Sequence, residues 1–255
     1  MNQISIWFGH LLKLFYDMSN NYALSIILFT IVTKFILLPL TFSQMRSMNA
    51  MKTIQPKVDE INKKYKGNPQ KQSEKLSQLY KENGVNPAAG CLPLLIQFPI
   101  LIAMYRVVRE PIKYVFLNET AYNLVDKGFF WIKSLEVPDV IAIQGINLPY
   151  ILPVLSALFT YVQMQMSMSR SSSSSSSNAT AEGMNKTMTY MMPLMMLIWG
   201  INLPAGLILY WATGTLVQIL QQYLIGKYEY HMNFRDDDRS NKRDSQASIK
   251  KKNNR

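Results

Sequence analysis

The chain has 255 residues, with 27 lysines and arginines against 16 aspartates and glutamates, a net charge of +11, 48% hydrophobic residues and one cysteine, Cys91. A single cysteine excludes an intramolecular disulfide and a cysteine-based zinc site. Overall hydropathy is near zero, but it averages apolar runs of spanning length with strongly charged segments between them, so the chain reads as integral to a membrane.

In residues 1–21, Ile4, Trp7, Phe8, Leu11, Leu12 and Phe15 recur at helical spacing, with Ser5, His10 and Lys13 between them. This predicts an amphipathic helix lying on the outer surface. A basic stretch followed by an apolar run and a small-residue cleavage site is not evident; a degenerate, uncleaved targeting segment is the competing reading. The first span, 22–42, is apolar apart from Lys34 at its middle. A lysine at the centre of a span costs roughly 2.5 to 3.5 kcal/mol and normally faces a protein interior or a water-filled cavity.

Residues 43–90 predict a cytoplasmic helical hairpin. Met51, Ile54, Val58, Ile61 and Tyr65 form one narrow apolar seam, which Leu76 and Leu79 of a second helix can close. Pro56 predicts a kink or fresh start, Gly67 a C-terminal cap and Pro69 the opening of the next helix. A second span, 91–108, leads to an outer loop, 109–147, whose acidic and basic residues nearly balance. A third span, 148–166, is followed by a flexible serine-rich cytoplasmic loop, 167–186. Spans four, 187–201, and five, 205–225, are joined by the turn Asn202, Leu203 and Pro204. The basic tail, 226–255, is too polar to build a core. Lysine and arginine accumulate after spans one and five, so the N-terminus is expected outside and the C-terminus in the cytoplasm. Topology and anionic lipid headgroups explain most of the positive charge, with nucleic acid or ribosome contact a secondary reading. Three NxT triplets, at Asn118, Asn178 and Asn185, are too short a pattern to assign a function.

Other spans place polar residues in stripes. Trp211, Thr215, Gln218 and Gln222 share a face of span five, Ser156, Thr160 and Gln163 a face of span three, Thr30 lies one turn before Lys34, and Gln97 lies in span two between Pro93 and Pro99. Such residues often serve only to bond neighbouring helices. However, no Asp or Glu occurs in any of the five spans to neutralise Lys34. A hydrated groove lined by Lys34, Gln163, Trp211 and Gln218 accounts for the stripes jointly. Met188, Met191, Met192, Met195 and Met196 fall on one face of span four, and Met164, Met166 and Met168 crowd the end of span three. Together they suggest an adaptable apolar wall.

Three stretches, TKFILLPLTFSQMRSMNAM leading into IQPKV, YKENGVNPAAGCLPLLIQFPILIAMYRVV and MMPLMMLIWGINLPAGLILYW, resemble the YidC/Oxa/Alb membrane protein insertases, most closely the short Gram-positive bacterial members. The resemblance runs from about Tyr22 to Tyr228. It implies an all-α integral membrane protein with five transmembrane helices around a hydrophilic groove, open to cytoplasm and lipid and closed to the outside. Lys34 stands where most relatives have arginine, and Gln163 and Trp211 fall on other groove positions. Lysine offers a point charge that can lose its proton when desolvated, so the departure requires a wet groove. The chain also departs from many Gram-positive relatives in lacking an N-terminal lipobox cysteine.

The function expected is insertion and folding assistance of transmembrane segments from the cytoplasmic side of the bacterial cell membrane. No catalysis, cofactor or metal is expected. The expected partners are nascent membrane proteins with acidic N-terminal tails, the Sec translocon, the ribosome through the hairpin and basic tail, and anionic lipids, with the chain acting as a monomer. A small-solute or ion transporter using the same cavity is the rival, though the sequence has no internal repeat or ionisable coupling pair. An intramembrane enzyme would need an acid–base or nucleophile constellation that the spans lack.

Overall fold

The computed structural model describes residues 2–86, 92–143, 146–169 and 179–227. Helices dominate: α1 (Asn2–Ser19), α2 (Tyr22–Ile36), α3 (Leu38–Lys64), α4 (Pro69–Glu82), α5 (Leu92–Arg109), α6 (Glu119–Asn123), α7 (Ile151–Ser169) and α8 (Ala179–Gly200). A last helix, α9, covers residues 205–227. Two short strands, β1 (Val140–Ile143) and β2 (Ile146–Pro149), pair antiparallel with Val140 opposite Pro149. Residues 1–218 and 219–255 form two compact units, and the described part of the second is the end of α9. Cys91, the serine-rich segment 170–178 and the tail beyond 227 lie outside the described residues, as do the side chains of Pro93, Met168 and Met188.

The expected first span, 22–42, is not one helix. Asn21 caps α2, accepting from the Leu24 amide at 2.9 Å, and α2 ends at Ile36 with Leu37 as its cap. Pro39, in the first turn of α3, has no N–H to donate back to Phe35, and it disfavours helical geometry at the residue before it. The chain bends by 58° between Tyr22–Ile36 and Leu38–Met51. Among the described residues no single helix is long and apolar enough to cross a membrane. This bent pair is, by length and composition, and Ile151–Ser167 and Thr189–Gly200 are shorter apolar helices.

Helix α1 is more deeply embedded than a surface helix. Ser5, Gly9 and Leu12 are buried, Phe8, Leu11, Phe15 and Tyr16 pack on the main core, and Trp7 is 73% exposed. The buried face joins Leu12, from the predicted apolar set, to the small residues Ser5 and Gly9. Its closest approach is at Gly9, where a Cβ would stand 1.9 Å from the Tyr114 carbonyl oxygen. Small residues allow such backbone contact between elements.

The hairpin seam comes from Ile54, Val58, Leu79 and Val85, with Met51, Ile61 and Leu76 packed against them. Gln72 Nε2 donates to Asn62 Oδ1 across it at 2.6 Å. Helix α3 continues through Pro56 without a fresh start. Gly67 does not cap it: α3 stops at Lys64 with Tyr65 as cap, which takes Tyr65 out of the seam. Pro69 opens α4 behind the N-cap Asn68, which accepts from the Lys71 amide. The glycine cap belongs to α4 instead. Gly84 takes φ +61°, the Val85 amide bonds the Tyr80 carbonyl at 2.9 Å and the Gly84 amide that of Lys81 at 3.2 Å. This is the Schellman arrangement, with Val85 folded back onto the seam.

The expected outer loop is folded. A single π-helical turn, Ile112–Phe116, ends at Leu117 with φ 56°, and Asn118 caps α6 by accepting from the Thr120 amide at 2.8 Å. Carbonyls of Leu135 and Val137 accept from the amides of Gly206 and Ala205 at 2.8 and 2.9 Å, and Asp139 Oδ2 accepts from the Leu152 amide at 2.9 Å. The loop thus satisfies the first turns of α9 and α7, whose amides have no partner within their own helices. The Tyr122 hydroxyl donates to Glu136, and burial together with that carboxylate pushes its pKa up. Strand β2 occupies the expected start of span three, so α7 begins only at Ile151.

Helix α8 begins at Ala179, eight residues before the expected span and inside the expected loop. Ala, Glu, Met and Lys in this stretch are good helix formers. Thr189, Met196 and Gly200 are buried, and Gly200 lies against Pro153 of α7 so closely that a Cβ would meet the Pro153 Cβ at 2.6 Å. Met191 is 52% exposed, whereas Met196 is 3% exposed. Met192 and Met195 are half-buried. Small Gly200 lies on the face through which α8 packs against α7.

Candidate functional site

The break at Leu37 changes the setting of Lys34, which now lies in the last turn of α2. A cation there faces the negative end of the helix dipole. Lys34 is half-buried, and its Nζ donates to Gln218 Oε1 on α9 at 3.2 Å. Its stem crosses α9 at Gly214: a Cβ on that glycine would stand 3.1 Å from Lys34 Cε, 3.8 Å from Nζ and 3.5 Å from Thr30 Cγ2. Gly214 is the site residue the polar pattern did not reveal. Its signal was a glycine in the interior of a helix, three residues after Trp211 and four before Gln218.

A second contact ties α9 to α7. Trp211 Nε1 donates to Thr160 Oγ1 at 3.3 Å, and that hydroxyl donates to the Ser156 carbonyl at 2.8 Å. The indole is oriented by a buried hydroxyl whose own proton is already engaged. A third contact, Gln97 Nε2 to the Tyr210 hydroxyl at 3.1 Å, joins α5 to α9. Helix α9 is therefore where the polar groups of α2, α5 and α7 meet.

The candidate residues divide by burial. Thr30, Ser156, Thr160 and Thr215 are buried. Thr30 Oγ1 donates to the Ile26 carbonyl at 2.6 Å and Thr215 Oγ1 to that of Trp211 at 2.9 Å, so both hydroxyls serve their own helices. Ser156 Oγ has no hydrogen-bond partner among the described residues. Lys34, Gln97, Gln163, Trp211 and Gln218 are all half-buried. Gln163 follows Thr160 by three residues on the same face of α7. Lys34 and Gln218 meet directly, as do Trp211 and Thr160, whereas Gln97 points to Tyr210, a residue outside the predicted stripe. Gln222 belongs to the second compact unit.

A bent apolar helix pair, a basic helical hairpin and a lysine seated among polar side chains characterise the described residues. A family profile described as "60Kd inner membrane protein" matches residues 14–232. A Clostridium perfringens (strain 13 / Type A) protein named "Membrane protein insertase YidC" is 40% identical over 210 residues, covering 82% of this chain and 80% of its own. A Fusobacterium nucleatum subsp. nucleatum protein of the same name is 36% identical over 208 residues, with 82% and 87% covered. Among solved structures, "Active YidC insertase crystal structure with the first transmembrane domain resolved" is similar with a TM-score of 0.57 and 32% identity, covering 86% of this chain. This chain spans 44% of that one and 33% of the Chlorobium luteolum (strain DSM 273 / BCRC 81028 / 2530) relative, which is 36% identical over 212 residues, 81% of this chain. The chain belongs to the YidC/Oxa/Alb family of membrane protein insertases.

Proposed function

We infer that this protein is a membrane protein insertase and that it works by shortening the apolar path a polar tail must cross. In this reading five helical spans, the first of them bent at Leu37, surround a hydrated groove open to the cytoplasm. The N-terminus lies outside. The apolar segment of the substrate leaves the groove sideways into lipid, and its partitioning supplies the free energy, so that no bond is made or broken. Lys34 attracts carboxylates of an acidic N-terminal tail while the substrate is between water and lipid.

The observation that carries this reading is the seat of Lys34. It donates to a neutral amide oxygen of Gln218, in a set of spans whose sequence carries no Asp or Glu. The folded outer loop, which holds the first turns of α7 and α9, supports closure of the outer end. The basic α3–α4 hairpin would receive substrate, with the ribosome, the Sec translocon and anionic lipids as proposed partners and a monomer as the acting form. Nothing in the comparisons favours a transporter.

The test is reconstitution of the purified protein with a single-spanning substrate carrying an acidic N-terminal tail. Lys34→Ala is expected to slow its insertion about tenfold, near the low end of what a hydrogen bond to a charged group contributes, while Lys34→Arg retains insertion. Equal insertion by Lys34→Ala and wild type would overturn the role of the charge.

A further inference from the structure

We propose that Gly214 is a positioning residue for Lys34: its missing side chain is the notch through which the lysine stem crosses α9, so that the ammonium reaches Gln218 and faces the substrate path. The proposal rests on the insertase reading above and adds to it a residue that acts only through Lys34.

Two glycines of α9 show the difference between packing and positioning. At Gly206 a Cβ would meet Val108 Cγ1 at 3.1 Å, the Leu135 carbonyl oxygen at 3.2 Å and Ile26 Cδ1 at 3.3 Å. These are apolar groups and backbone of three different elements, and the Gly206 amide is itself bonded to that Leu135 carbonyl. Gly206 therefore seats the outer loop on the helix. At Gly214 the three nearest atoms are Lys34 Cε, Lys34 Nζ and Thr30 Cγ2. Two of the three belong to Lys34, and the third to the residue one turn before it on α2.

Glycine lowers helix propensity, so an interior glycine without a bend or cap calls for a packing reason. Here the occupant of the space is the lysine stem. Gln218, one turn further along α9, accepts from the ammonium at 3.2 Å. A branched side chain at 214 would fill the notch and push Cε away from α9, which breaks this hydrogen bond and re-aims the charge.

The experiment compares two substrates in proteoliposomes, identical except for an acidic or a neutral N-terminal tail, and reads the ratio of their insertion rates. Lys34→Ala is expected to lower that ratio about tenfold. Gly214→Val is expected to lower it by a similar factor while leaving neutral-tail insertion within about twofold, and the double variant Lys34→Ala/Gly214→Val to be no worse than Lys34→Ala alone. Gly214→Ala, whose smaller Cβ asks Cε to move only slightly, is expected to show a partial loss of the ratio, and it serves as the informative variant should Gly214→Val fail to fold. Equal loss on both substrates, or a double variant that is worse than either single one, would make Gly214 a packing residue and overturn the proposal. A ratio unchanged in both glycine variants, with Lys34→Ala still acting, overturns the notch and leaves the groove charge standing. A ratio unchanged in Lys34→Ala removes both.

Discussion

The α3–α4 hairpin and the polar site on α9 are built on opposite plans. In the hairpin, apolar residues face inward, with Ile54 and Val58 meeting Leu79 and Val85, and Lys57, Lys63, Lys64, Lys66, Lys71 and Lys81 are exposed. At the site the surroundings are apolar and the polar groups turn inward, and each contact joins residues far apart in the chain: Lys34 with Gln218, Thr160 with Trp211, Gln97 with Tyr210. The hairpin is therefore held by its apolar seam and by local turns, while the site is held by the apolar packing of helices that bring the polar groups together. A change in one region should leave the other largely intact.

The largest expected effect is in the hairpin. Leu79 is 8% exposed, and Leu79→Ala removes a side chain whose loss from a core typically costs about 2 to 5 kcal/mol. Amide exchange along α4 should accelerate accordingly while the middle of α9 keeps its protection. Equal acceleration in α9 would mean that the two regions unfold as one unit and would undo the comparison. A smaller effect is expected for Trp211→Phe, which keeps the ring but removes the donor to Thr160. A loss of about 1 kcal/mol in thermal unfolding, typical of one hydrogen bond, is expected, with hairpin exchange unchanged. No change at all would show that the bond from the indole N–H to Thr160 contributes nothing to stability, and that Thr160 does not orient the ring.

The hairpin was legible because its information is local. Period, proline and turn residues placed the seam and the start of α4, although the glycine cap belongs to Gly84 rather than Gly67, since α3 stops at Tyr65 before Gly67 is reached. The polar stripe on α9 was legible for the same reason, being a repeat within one helix. Partners across helices were not. Gln97 sits in α5, but only packing puts Tyr210 beside it. The bend at Leu37 was hidden because an apolar run reads as continuous through Pro39. The close backbone approach of α1 to Tyr114 was hidden because it is made at Gly9, which has no side chain to enter an apolar pattern. The folding of segment 109–147 was equally invisible, as its balanced charges do not reveal the hydrogen bonds that tie it to α7 and α9.

The most direct test of the hydrated groove places single cysteines in a Cys91→Ser background at Gln163, which is half-buried, and at Thr160, which is 3% exposed. A membrane-impermeant thiol reagent is then applied from either side. Labelling of position 163 from the cytoplasmic side only, with position 160 protected from both, is the result the account predicts. Protection of position 163 from the cytoplasmic side, or labelling of it from outside, would contradict a wet groove open to the cytoplasm and leave the polar stripes as helix-to-helix bonding alone.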